Sequence, residues 1–314
     1  PEGTRCEIVP PRPEPCVGPE CLPCTPSHTL TARGATEGSP FEVPAEANAY
    51  RCFAVPSPFT ASTRAIAWAP IVDDARVLHH LIAYRTATRQ ETGPVSCEMP
   101  LDAVGLFGWA PGAPNVVLPD DVGLELSSGG EEWLILQVHY GNAALHTDAL
   151  DRSGFAACTT ETPRAHTAGV MTFGSTSIAI APRARAQEVA GLCPSSSTAL
   201  LREPLHVLAN GPHMHRRGRR FVVEILRGGW TAETVLDVDP FRFDDQRAYW
   251  HDPPYEIRPG DAVRTRCIYD NEDSSWAYYG ERTEDEMCFD FAIVYPIDAI
   301  PAGYARTCVV ALGL

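Results

Sequence analysis

From Phe41 onward the chain is a succession of short apolar or alternating runs, each cut by Pro, Gly, Asp or Asn. Ala65-Ile66-Ala67-Trp68-Ala69, Arg76 to Tyr84 and Trp133 to Tyr140 are examples, and the texture resumes at Ala168-Gly169-Val170-Met171-Thr172-Phe173 and continues to the C-terminus. None of these runs has the length or the 3.6-residue period of a long amphipathic helix. Short strands with regular turn signals specify an all-β sandwich or barrel class. The 314 residues suit two sandwiches of about 150 residues each. Glu161-Thr162-Pro163-Arg164, just after Cys158, is the best boundary. The expected organisation is a lead-in over 1–40, one β-sandwich over 41–160 and a second over 161–314. The lead-in is Pro- and Cys-rich to about residue 27 and lacks hydrophobic periodicity, as a linker or small stapled cap would.

Composition excludes several functions. The formal charge is −15, from 40 acidic and 25 basic residues, whereas nucleic-acid partners need a basic surface. Every basic residue is arginine. Schiff-base and P-loop chemistry both need a lysine and are therefore excluded. No apolar run approaches the ~20 residues that cross a bilayer as a helix. Pro1 stands first and no charged-then-apolar leader is visible, so a removed leader or a trimmed start is expected. The 11 cysteines are widely scattered, as in a disulfide framework formed in an oxidising compartment, and their odd number leaves one over. A secreted, periplasmic or cell-surface location follows. Cys21-x2-Cys24 has no second CxxC and no βαβ context, which argues against a redox or zinc role.

The histidines point to metal. In Gly211-Pro212-His213-Met214-His215, a strand would turn His213 and His215 to one face and Met214 to the other. At the end of Trp133-to-Tyr140, His139 shares the more polar face with Gln137 and Ile135. His79-His80 are neighbours, and both reach one ion only at a strand end, bulge or twist. Met287, in Glu286-Met287-Cys288, is one of four methionines, and its thioether is a soft ligand that favours copper(I).

Taken in order, these motifs resemble the type II, ascorbate-dependent copper monooxygenases, which include peptidylglycine α-hydroxylating and dopamine β-type enzymes. The resemblance runs from about Phe41 to Leu314. It rests on Leu78-His79-His80-Leu81, Gly108-Trp109-Ala110-Pro111-Gly112 with Leu118-Pro119, Leu136-Gln137-Val138-His139-Tyr140-Gly141, His213-x-His215 and Glu286-Met287-Cys288. It implies two tandem jelly-roll-like β-sandwich domains with one copper each. His79, His80 and His139 would hold the electron-transfer copper; His213, His215 and Met287 would hold the oxygen-binding copper. Ascorbate would supply electrons and dioxygen the inserted oxygen, with an aliphatic C–H bond of a small or peptide-like substrate as target. Gln137 would orient the route between the coppers. By the same analogy the disulfides are Cys52–Cys97, Cys193–Cys308 and Cys267–Cys288, with Cys158 joined to a lead-in cysteine. The family's further short-range bridge in the first domain has no evident pair here.

Departures from the family pattern bear on substrate. Peptide-hydroxylating members place an arginine two residues before the first histidine of HxH to hold a carboxylate; this chain has Gly211. After the methionine they place polar side chains where this chain has Phe289 and Phe291, which predicts an apolar or aromatic wall and argues against peptidyl-glycine. The cluster Arg216, Arg217, Arg219 and Arg220 either attracts an anion or pairs with nearby carboxylates. The alternative to catalysis is a copper-binding protein of the same fold. A zinc hydrolase reading of His213-x-His215 lacks the Asp-His that should follow. The sequence leaves the oligomeric state open.

Overall fold

The computed structural model describes residues 16–36, 38–97, 100, 102–228, 231–280, 282–301 and 306–309. Within them strands dominate; the helical segments are the single turn Ser195–Thr198 and two 3-10 turns. Antiparallel pairing organises a four-stranded sheet in the order Ala49–Pro56, Trp133–Tyr140, Leu78–Thr86, Val104–Trp109. A second four-stranded sheet runs Gln187–Cys193, Ala262–Tyr269, Gly218–Arg227, Thr231–Val238.

Behind both lies one eleven-stranded sheet. Its main path begins His28–Thr31, Gly154–Thr160, Arg64–Ile71, Val122–Glu125 and continues His166–Ser175, Cys288–Tyr295, Leu205–Asn210, Tyr249–Ile257. The halves join where Val122, Gly123 and Leu124 pair in parallel with His166, Thr167 and Ala168. The two sandwiches therefore share a continuous backing sheet.

Strand alternation builds the cores. In Trp133–Tyr140, Leu134, Leu136, Val138 and Tyr140 enter the first core with Phe53, Leu81 and Phe155. The opposite face carries Ile135, Gln137 and His139. The second core gathers Phe173, Met214, Phe221, Ile225 and Tyr269. Leu208, Ala209 and Ile293 come from late strands yet pack into the first core, so the sandwiches are also joined by apolar contact.

Five disulfides staple this frame: Cys16–Cys21, Cys24–Cys158, Cys52–Cys97, Cys193–Cys308 and Cys267–Cys288. Cys24 is the lead-in partner of Cys158, and Cys16–Cys21 is a local bridge that the family analogy does not assign. Cys6 lies outside the described residues. The lead-in is built into the first sandwich: His28–Thr31 forms a sheet strand against Gly154–Thr160. Gly18 and Asn115 exchange hydrogen bonds between their backbone and side-chain groups.

Candidate metal centres

His80 sits directly across from His139 on the neighbouring strand, and Leu78 sits across from Tyr140. One residue, His79, is therefore extra. This β-bulge is what allows two successive histidines to face one point. The His79 and His80 rings lie 4.7 and 4.8 Å from the His139 ring and 5.4 Å from each other. One nitrogen from each lies within 4.8 Å of the other two. Tyr50, opposite His139 on the next strand, stacks flat on its imidazole at 4.1 Å.

Burial dominates the electrostatics of this cluster. It lowers His79 to about 4 and His139 to about 3, and it takes His80 well below the ordinary value; neighbouring imidazoles push the same way. All three rings are neutral at neutral pH, and a neutral imidazole offers one lone pair. His139 Nε2 lies 3.2 Å from Asn48 Oδ1. The amide oxygen can only accept, so Nε2 carries the proton and Nδ1 is bare. His139 Nδ1 and His79 Nδ1 are both buried without a hydrogen-bond partner among the described residues. An unsatisfied buried polar atom costs about 1–3 kcal/mol, a cost that metal coordination removes. The residues fit a metal ion, and three imidazoles suit copper.

The second set grows from a short bridge. Pro212 and His213 pair with Asp290 and Phe289, and the same register continued by two residues sets Met287 across from His215. The His213 and His215 rings stand 5.3 Å apart at a right angle. Met214 points the other way and is fully buried in the second core. The backbone is tied on both sides of the motif. Asp290 accepts from the Gly211 N–H and the Asn210 amide. Glu286 accepts from the backbone N–H groups of His215 and Arg217. Burial raises both carboxyls to about 7.

His215 Nδ1 lies 3.0 Å from the Asp285 carbonyl. That contact requires Nδ1–H and leaves Nε2 as the lone-pair nitrogen. Burial lowers His213 to about 3 and lowers His215 as well. Half-buried Met287 accepts the Tyr269 hydroxyl at its backbone carbonyl, 2.7 Å away. The Cys267–Cys288 bridge pins the adjoining residue.

The two sets face each other. The His80 and His213 rings are 6.2 Å apart. Phe243 lies between the sets, 4.8 Å from His79 and 6.3 Å from His215, with the Arg216 guanidinium 5.8 Å from its ring centroid. The Phe243 loop is fixed to the first sandwich: Gln246 N–H donates to the Pro111 carbonyl. Gly112 adopts a φ of +86°, and a side chain there would meet Asp245.

Phe291 lies 5.9 Å from His213, Phe289 6.0 Å from Phe291, and Tyr279 6.0 Å from Phe289. These rings form an aromatic row ending at His213. At Gly211 a β-carbon would lie 2.9 Å from the Phe291 carbonyl oxygen, so a side chain there requires backbone adjustment. Arg217, Arg219 and Arg220 pair with carboxylates. Gln137 is buried on the His139 face and makes no hydrogen bond to the six candidate ligands.

Asn48, Tyr50, Phe243 and Gln246 carry no mark in the sequence. Tyr50 becomes visible only once the register against His139 is known. The other three sit in loops, where no periodicity marks them.

Models of the copper type II ascorbate-dependent monooxygenase match the chain twice: the N-terminal domain over residues 37–147 and the C-terminal domain over 166–311. The chain belongs to the copper type II ascorbate-dependent monooxygenases. This family is defined by copper, ascorbate and dioxygen, and the matched ranges contain all six candidate ligands. Human dopamine beta-hydroxylase is 28% identical over 275 residues, covering 81% of this chain and 45% of that protein. Tyramine beta-hydroxylase of Caenorhabditis briggsae is 29% identical over 201 residues, covering 62% and 34%. Peptidyl-glycine alpha-amidating monooxygenase A of Xenopus laevis is 31% identical over 211 residues, covering 65% and 21%. The chain thus spans less than half the length of these curated relatives. The five disulfides suit an oxidising compartment, and no described helix is long and apolar enough to cross a membrane.

Proposed function

We propose that this family member is an active monooxygenase that hydroxylates an aliphatic C–H bond with dioxygen and ascorbate. In this reading His79, His80 and His139 hold the electron-transfer copper, and His213, His215 and Met287 hold the oxygen-binding copper. Bound copper supplies one-electron redox chemistry and a coordination position for dioxygen. The division into domains over 41–160 and 161–314 belongs to the same reading, as does a secreted, periplasmic or cell-surface location.

The observation that carries it is the apposition of two separately scaffolded, neutral histidine sets, His80 and His213 being 6.2 Å apart ring to ring. The chain's own residues then do three things. Burial keeps the imidazoles unprotonated, so their lone pairs stay available. Asn48 and the Asp285 carbonyl fix the tautomers of His139 and His215. Phe291 lies beside His213 and, with Phe289 behind it, offers an apolar wall that the exposed Tyr279 extends. With Gly211 in place of a carboxylate-binding arginine, the substrate is small or peptide-like, with an apolar or aromatic group beside the reacting carbon. Gln137, on the His139 face, is assigned to orienting the electron route, and an unchanged single-turnover electron-transfer rate in Gln137→Ala would remove it.

The test is ascorbate-driven oxygen uptake and product formation by the copper-loaded chain with aryl-alkyl and peptide substrates. Product hydroxylated at an aliphatic carbon is expected, with turnover lost in His213→Ala and Met287→Ala. Uptake that survives both substitutions sinks the assignment of the oxygen-binding site.

A further inference from the structure

We infer that Asn48 is a positioning residue for both metal centres, tying the outer nitrogen of His139 to the loop that carries Met287. The inference rests on the ligand assignment above, but its geometry stands independently. Asn48 lies just before the strand Ala49–Pro56 in the first sandwich. Its Oδ1 is 3.2 Å from His139 Nε2 and accepts a 2.9 Å hydrogen bond from the Thr283 hydroxyl. Its Nδ2 donates to Glu284 Oε1 at 3.1 Å. These partners lie 91, 235 and 236 residues away in the chain.

The chemistry fixes the amide orientation. Asn48 Nδ2 donates to the Glu284 carboxylate, so the NH₂ faces it and the carbonyl faces Thr283 and His139. The oxygen in turn requires Nε2–H on His139 and leaves Nδ1 bare toward His79 and His80. Besides His139, the same amide grips Thr283 at its oxygen and Glu284 at its NH₂. The next residue, Asp285, holds His215 Nδ1 through its carbonyl. Glu286 then holds the His215 backbone, and Met287 follows. Thr283 and Glu286 are buried; the Glu284 carbonyl is further fixed by Arg217 at 2.7 Å.

One side chain thereby sets a tautomer at the first centre and anchors the Thr283–Met287 loop of the second. Losing Asn48 has two separable consequences. His139 loses the acceptor that selects its tautomer, and the ligand loop loses its hold on the first sandwich. Outer-shell partners of metal-binding histidines typically contribute about 10–100-fold in metal affinity, and that loss is expected at the three-histidine set.

The substitutions Asn48→Ala, Asn48→Asp and the pair N48D/E284Q separate these consequences. Asn48→Asp keeps an acceptor for His139 and Thr283 but sets a carboxylate against Glu284. Adding Glu284→Gln returns an N–H donor with the roles reversed. Two readouts use the metal-free protein: ¹⁵N NMR of the His139 ring nitrogens and amide hydrogen exchange across 283–287. A third is copper affinity by chelator competition.

Asn48→Ala is expected to lose the pure Nε2–H tautomer, exchange faster across 283–287 and bind copper at the three-histidine set about 10–100-fold more weakly. Asn48→Asp should keep the tautomer and still exchange faster, and N48D/E284Q should recover slow exchange. An unchanged tautomer with unchanged exchange in Asn48→Ala overturns the inference, as does a double variant that fails to recover protection. A native chain that takes up no copper overturns the functional reading, while the metal-free signals still decide the role of Asn48.

Discussion

Acidification separates this three-histidine set from an ordinary one. Three histidines at the usual value of about 6.5 would each be about ten-to-one protonated at pH 5.5, and displacing three protons would weaken metal binding by about 10³, or about 4 kcal/mol. In this chain burial holds His79 at about 4, His139 at about 3 and His80 well below the ordinary value. At pH 5.5 a group titrating at about 4 is only about 3% protonated, so proton competition changes the affinity by less than about twofold. The assay is copper competition against a chelator of known proton coupling at pH 7.5 and 5.5, with the three-histidine site followed by its EPR signal. A near-constant affinity, corrected for the chelator, is expected. A fall near 10³ would refute the claim that burial keeps these rings neutral.

The metal-free chain itself should weaken in acid. Buried and half-buried histidines whose values desolvation lowers (His79, His80, His139, His213 and His215) resist protons that the unfolded chain takes up at about 6.5. Each therefore contributes stability that is lost as pH falls below about 6.5 toward that group's lowered value. Glu286 and Asp290, raised to about 7, and Asp151, also raised by burial, act the other way, becoming more favourable as pH falls, but they are three against five. A lower Tm at pH 5 than at pH 7.5 is expected, and a flat profile would contradict it. Replacing Cys267 and Cys288 with serine opens a bridge of sequence separation 21 and should cost about 3 kcal/mol, read as a denaturation midpoint; an unchanged midpoint would mean that this staple contributes nothing to stability.

The all-β class was legible because Pro, Gly, Asp and Asn cut every apolar run before a helix could develop. The need for irregular backbone at His79-His80 was legible too, since neighbours on a flat strand diverge, and the bulge at His79 meets that need. Met214 follows from the same alternation: the residue between two outward histidines had to enter the core. The continuous backing sheet was not legible. It depends on Val122–Glu125 meeting His166–Ser175 in parallel, a pairing no local pattern encodes. Asn48 and Phe243 were hidden for a related reason. Each stands in a loop and touches residues of both sandwiches, so its role exists only once the two cores are assembled.

Copper stoichiometry tests the two-centre design most directly. The native chain, His139→Ala and Met287→Ala are loaded with copper, desalted and analysed side by side by metal content and EPR. Two copper ions are expected in the native chain, with each variant weakening a different one. A single ion in the native chain, or the same ion lost in both variants, would contradict the design.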